Sequence, residues 1–225
     1  MIMDEAQAKK AITTFFTKHK ASISATLSKS TGGKIYELYC LAKTLAWLRS
    51  TYGAHIQLVN GTSVSFKASP GNINRSQSHF VVRKGPRVFE LHTDIQVRTL
   101  GASRLTGHVD LSGYHEIDLV LIDPSVANGE MPRHDQLVLG VECKSQAKFE
   151  KGIVKQVLGI RRELSVLTYP QQSILESCYG GARHAGPPIG AEPASLYWLC
   201  YVDPKGDRYS DSPGYFGIEF KNWAP

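Results

Sequence analysis

The sequence predicts an α/β domain, a central mixed β-sheet flanked by α-helices, with an additional β-rich segment that enlarges the sheet. Three observations carry this. Residues 34–52 form the strongest helical pattern, with Ile35, Leu38, Leu41, Leu45 and Leu48 in one apolar stripe and Gly53 as its stop. Two aliphatic runs, 115–122 and 138–144, read as neighbouring strands joined by a Pro/Gly/Asn/Asp loop over 123–136. A second amphipathic helix over 149–167, then the apolar run 197–202, gives a βαβ-like crossover.

The other elements follow in chain order. Ala6, Ala8, Ala11, Ile12, Phe15 and Phe16 recur at helical spacing, which predicts a helix over 4–28 with Lys9, Lys10, Lys18 and Lys20 on its other face. A Ser/Thr/Gly loop covers 28–33. The alternation in 55–59 predicts a strand, and Asn60-Gly61 predicts a tight hairpin into 63–66. Further strands are expected over 79–82 and 88–97. The helix over 149–167 places Ile153, Val157, Ile160, Leu164 and Leu167 on one face. Residues 173–195 are Gly/Pro-rich in their second half and predict a long excursion, and a last strand is expected over 215–220. The chain reads as a single domain over 1–225: a helical arm at 1–30, a core at 33–167 and C-terminal strands at 195–220.

Composition narrows the setting. The chain has 225 residues, 42% of them hydrophobic, which is ample for a core. No apolar run approaches the roughly 20 residues that span a bilayer, and the acidic start Met1-Ile2-Met3-Asp4-Glu5 lacks an apolar signal region, so the expected location is cytoplasmic. Cys40, Cys143, Cys178 and Cys200 are widely spaced without a CxxC pair, which predicts reduced thiols rather than a zinc site or disulfide framework. The net charge of +6 suits a polyanionic partner. There is no GxSxG, no P-loop and no GxGxxG after a strand.

The chemistry concentrates in two strands. Asp118 interrupts the aliphatic run 115–122, and Glu142 and Lys144 end the run Val138-Leu139-Gly140-Val141. Side chains alternate along a strand, so Glu142 and Lys144 share a face while Val141 and Cys143 point the other way. Charges at the end of a buried strand are costly to desolvate unless something uses them. Carboxylates are hard oxygen ligands suited to Mg²⁺ or Mn²⁺, and the backbone carbonyl of Cys143 is a further candidate ligand. Glu116 shares a face with Asp118 and is an alternative. Lys144 could donate to a phosphate oxygen, orient a water or act as a base with a lowered pKa.

Asp118 followed by Glu142-Cys143-Lys144 resembles the PD-(D/E)xK signature of the restriction-endonuclease-like nucleases. The likeness covers 33–167, with Ile117 standing where the motif's Pro would precede the Asp. It implies a restriction-endonuclease-like core and a Mg²⁺- or Mn²⁺-dependent endonuclease. DNA is the expected substrate, with RNA as the alternative, and a homodimer in prokaryotic restriction or defence is the expected setting. It further implies Asp118 and Glu142 as metal ligands and Lys144 as support for the attacking water. Glu37 matches an extra ligand on the first core helix, and Gln156 matches a Gln on the helix after the motif. Lys34, Lys151, Lys155, Arg161 and Arg162 are candidates for contact with nucleic acid. The alternatives are a nucleic-acid-binding protein of the same fold without cleavage, or a structure-selective repair or junction nuclease.

Overall fold

The computed structural model describes residues 3–19, 23–64, 69–105, 110–168, 174–179 and 190–225. Three helices come first: α1 (Glu5–Lys18), α2 (Ser24–Lys29) and α3 (Gly32–Tyr52). Strands β1 (His55–Val59), β2 (His79–Lys84) and β3 (Arg87–Arg98) follow, then the short helix α4 (Leu100–Arg104), β4 (Tyr114–Ile122) and β5 (Leu137–Lys144). The last part holds α5 (Lys151–Leu164), β6 (Val166–Thr168), α6 (Ile174–Tyr179), β7 (Gly190–Glu192), β8 (Leu196–Tyr201), α7 (Asp211–Tyr215) and β9 (Ile218–Asn222).

Seven strands form one mixed sheet in the order β1-β2-β3-β4-β5-β8-β9. The first five are an antiparallel meander. Strand β8 then joins β5 in parallel, with α5 as the crossover, and β9 joins β8 in parallel. The expected crossover is therefore present, and β1 to β3 extend the sheet as the β-rich segment. One apolar cluster packs α1 and α3 on one face; a second packs α5 on the other.

Helix α3 is buried on more than the expected stripe. Tyr36, Tyr39, Cys40, Ala42, Thr44 and Tyr52 join Ile35, Leu38, Leu41, Leu45 and Leu48 in the interior. The reason is α1, whose Ala8, Ile12 and Phe16 are buried against α3, with Phe16 also reaching Phe80 of β2. Gly53 ends α3 as expected, in the left-handed region at φ 65°, donating to the carbonyls of Arg49 and Leu48.

Several boundaries differ from the sequence expectation. The first helix stops at Lys18, not 28, and α2 follows separately in a Ser/Thr-rich stretch that competes with helical backbone bonding. Lys20 of the expected basic face lies outside the described residues. Asn60-Gly61 does not close a two-residue hairpin: β1 pairs with β2, Val59 opposite His79. Ser65-Phe66 of the expected partner strand lie outside the described residues, as do 180–189 of the expected excursion. Helix α5 ends at Leu164, because Ser165 is already extended, and Leu167 belongs to β6 rather than to the helix face. The last strand begins at Ile218, after α7.

One irregularity matters for the site. The β3–β4 ladder runs to Thr93↔Leu119 and resumes at Ile95↔Ile117, leaving Asp94 and Asp118 opposite each other without a ladder pair. Asp94 has φ 53°. The faces reverse across this gap. Leu91, Leu119 and Leu121 pack on the α3 side, whereas Ile95, Val97 and Ile117 pack on the α5 side. Left-handed backbone is costly for an L-residue, and Asp tolerates it better than most.

Candidate active site

Asp118 sits where the ladder between β4 and β5 ends. The last paired residues are Leu119 and Val141, and beyond them Asp118 Oδ2 accepts the Cys143 backbone N–H at 2.7 Å. Glu142 is 3% exposed, and its Oε2 takes Lys144 Nζ at 2.9 Å. The expected alternation holds here: Glu142 and Lys144 share a face, while Val141 and Cys143 pack into the α3-side cluster. Gly140 permits the arrangement on the opposite face. A Cβ there would come within 3.0 Å of the Tyr197 ring, so the ring passes over the strand at that point.

Helix α3 brings Glu37 and Lys34 to the same place. Lys34 Nζ lies 2.6 Å from Glu37 Oε2 and 2.5 Å from Asp94 Oδ1. Burial pushes Glu37 up to about 7; Lys34 offsets part of this, and Asp118 and Asp94 add to it. Burial also raises Glu142 to about 7, reinforced by Asp118 and opposed by Lys144. Asp118 is raised by burial, against the pull of the Cys143 N–H. For Lys144, burial works to lower the pKa, but the charges of Glu142 and Asp118 outweigh it and the net shift is upward. In the metal-free protein its anionic neighbours thus outweigh the desolvation expected to lower Lys144. For Lys34 too, burial works downward, and Asp94 and Glu37 outweigh it to give a net rise.

Four carboxylates, Glu37, Asp94, Asp118 and Glu142, thus share a buried corner with two ammonium groups. Fully ionised, they leave an excess of negative charge. Glu142 Oε1 and Asp94 Oδ2 are buried with no hydrogen-bond partner. An unpartnered buried carboxylate oxygen is costly, and hard cations are its natural complement. The donor set therefore fits Mg²⁺ or Mn²⁺. The acids are spaced by the lysines, and among the described residues no three of them bring oxygens within 4.8 Å of one another.

Asp94 escapes a reading of the sequence because β3 is polar at several positions, with Glu90, His92, Thr93 and Gln96 in the same strand, whereas Asp118 is followed by the aliphatic run Leu119–Ile122. Lys34, expected to contact nucleic acid, is instead ion-paired among the acids. Gln156 is exposed on α5 and makes no hydrogen bond to them. Lys151, Lys155 and Arg162 are exposed on the same helix. Arg161 corrects the expectation for that row. It is 2% exposed, donating Nε to the Phe216 carbonyl at 3.3 Å and Nη1 to Ser195 Oγ at 3.0 Å. It pins the crossover helix from within and cannot face a phosphate. Glu116 is exposed, opposite Gln96. Cys40, Cys143, Cys178 and Cys200 are free thiols. Among the described residues, no helix is long and apolar enough to cross a membrane. Comparison of the chain with family models, with curated proteins and with solved structures returns no match.

Proposed function

We propose that the chain is a metal-dependent endonuclease with a restriction-endonuclease-like core, hydrolysing phosphodiester bonds in DNA. The observation that carries this is the convergence of Asp118, Glu142 and Glu37 from two neighbouring strands and α3 on one buried anionic corner, beside Lys144. Asp118 and Glu142, with Asp94 beside them, would hold Mg²⁺ or Mn²⁺, and the Cys143 carbonyl is a further candidate ligand. Bound there, such an ion supplies charge neutralisation at the phosphate and a more acidic water.

The chain's own groups divide the rest. Lys144, ion-paired with Glu142, would serve as a donor to a phosphate oxygen or to the attacking water. Glu37, with a pKa near 7, is better matched to accepting a proton at neutral pH. Affinity for the polyanion comes from exposed cations such as Lys151, Lys155 and Arg162, and falls with salt. Incubation with plasmid, single-stranded DNA and RNA, each with Mg²⁺, Mn²⁺ or EDTA, tests the reading. Cleavage of DNA that EDTA stops is the expected result. Salt-sensitive binding without cleavage under any metal would favour the non-cleaving alternative.

A further inference from the structure

A second cluster lies further along β3. Glu90 and His92 are two residues apart on β3 and share a face, and the β2–β3 register brings His79 opposite His92. All three are buried, at 4% exposure for His79, 8% for Glu90 and 5% for His92. Their ligand atoms lie within 4.8 Å of one another, the one His/Cys/Asp/Glu trio among the described residues that does so. The imidazole rings stack at 4.6 Å between centroids, 12° from parallel. Glu90 lies four positions before Asp94, about 13 Å along β3.

The surroundings already hold these side chains as a ligand set is held. His79 Nδ1 is 3.0 Å from the Gln77 carbonyl. A carbonyl only accepts, so Nδ1 donates there and Nε2 is the position left to ligate, as in histidines whose outer nitrogen is anchored while the inner one binds metal. His92 Nε2 donates to Glu90 Oε2 at 3.2 Å. Arg75 Nε braces the same carboxylate at 3.0 and 2.9 Å, and its Nη2 reaches the Pro124 carbonyl at 3.2 Å. The Arg75 guanidinium thus keeps a fixed counter-charge beside the Glu90 carboxylate.

We infer that His79, His92 and Glu90 form a second metal site, for a zinc-class ion held by two imidazoles and one carboxylate. The ion takes the proton's place between His92 Nε2 and Glu90 Oε2, while Arg75 keeps the other carboxylate oxygen. Imidazole selects Zn²⁺ over Mg²⁺, so the acid corner and this trio take different ions. Zn–N and Zn–O bonds of about 2.0–2.1 Å put tetrahedral ligands about 3.4 Å apart; because the lone pairs lie in the planes of two nearly parallel rings, the imidazoles unstack as they ligate. The ion would tie β2 and β3 to the segment carrying Arg75 and Gln77. That segment also carries Gly71, which donates to the Asp94 carbonyl at 3.1 Å.

The test is titration of metal-free full-length protein with Zn²⁺ and Co²⁺, in wild type, His79→Gln, His92→Gln and Glu142→Ala. One zinc-class ion should bind the wild type and Glu142→Ala alike, and each His variant should weaken it by at least about 100-fold. Equal binding in wild type and both His variants overturns the inference. So does a sulfur-to-cobalt charge-transfer band, which would assign the ion to cysteines. Should the His variants fail to fold, X-ray absorption of the zinc-loaded wild type decides: imidazole scattering supports the site, and sulfur at about 2.3 Å or no bound zinc refutes it. None of these outcomes depends on nuclease activity.

Discussion

Two buried polar clusters share strand β3, and they are balanced in opposite senses. At Glu90 the counter-charge is built in: Arg75 and His92 hold the carboxyl at about 2. At the acid corner burial wins, and Glu37 and Glu142 rise to about 7 despite the lysines beside them. A buried carboxylate with its cation in place stabilises the fold as an ion. One whose pKa has risen carries a proton that a divalent ion would displace. Without metal the first cluster is balanced within the protein, and a zinc-class ion enters it only by displacing the His92 proton; the second becomes balanced with a cation. Perturbed carboxylates of the second kind gather at functional sites.

The largest expected effect separates the two by activity. Glu142→Gln or Asp118→Ala should lower DNA cleavage by about three orders of magnitude or more, as loss of several kcal/mol of metal-derived stabilisation implies. DNA binding should persist. Glu90→Gln should leave cleavage within about threefold and instead lower unfolding free energy by about 1–3 kcal/mol, because it leaves Arg75 and His92 without their partner. Cleavage rates and denaturant melts on the same three variants check this. A Glu142→Gln protein that cuts at the wild-type rate would refute the nuclease reading.

Next comes pH. Glu37 and Glu142 bind protons more tightly folded, near 7, than at the ordinary 4.5. The folded state therefore holds more protons between those values, and the metal-free protein should lose stability as pH rises from about 4.5 to 7. Each group contributes on the order of 2 kcal/mol to the loss, so Glu142→Gln should about halve it. Melts from pH 4.5 to 8 in EDTA measure the slope. Stability that rises through this window in the wild type would contradict the raised carboxyls. Mg²⁺ binding at pH 7 should in turn release protons, seen as calorimetric heats that depend on the buffer.

How much of this is legible in the sequence follows from where each residue sits. Asp118, Glu142 and Lys144 stand out because charge inside an aliphatic run has few structural excuses, and the period-2 alternation of β5 then decides which of them share a face. Asp94 carries a weaker signal, because Glu90, His92 and Gln96 already make β3 polar, and its place opposite Asp118 depends on register and on the left-handed turn of the strand, which local pattern does not encode. Arg161 reads as a surface residue because α5 looks amphipathic from its aliphatic residues alone. Its burial depends on Ser195 and the Phe216 carbonyl, both far along the chain. The first helix is overextended by pattern because alanines and lysines continue the helical rhythm past Lys18, where the Ser/Thr content already favours a break. The strand order around β5 and β8 is legible, since a strand, a helix and a strand admit few connections.

A smaller effect concerns Lys34, whose ammonium occupies space that a divalent ion would claim, between Glu37 and Asp94. Lys34→Met should tighten Mg²⁺ or Mn²⁺ binding by about tenfold, the size of one partly solvent-screened charge interaction. It should also push Glu37 further above 7, because a group that lowers its pKa is gone. Were Lys34 chiefly a phosphate ligand, the same substitution would leave metal affinity alone and weaken DNA binding.

The smallest effect lies along α5 and divides one basic row into two kinds of residue. Lys151, Lys155 and Arg162 are exposed, so each substitution to Ala should lower the slope of log affinity against log salt by about 0.9 for every phosphate that the side chain neutralises, with no change in melting. Arg161 has its guanidinium committed to Phe216 and Ser195, and burial already lowers its pKa to about 10. Arg161→Met keeps the length of the side chain and removes a costly buried charge, so its stability change should be small. Arg161→Ala leaves a cavity and two unanswered acceptors, and should cost about 2–4 kcal/mol. Neither should alter the salt slope. Filter binding at several salt concentrations, run beside thermal melts, separates the outcomes. A reduced slope in Arg161→Met with unchanged melting would mean that the arginine reaches DNA after all.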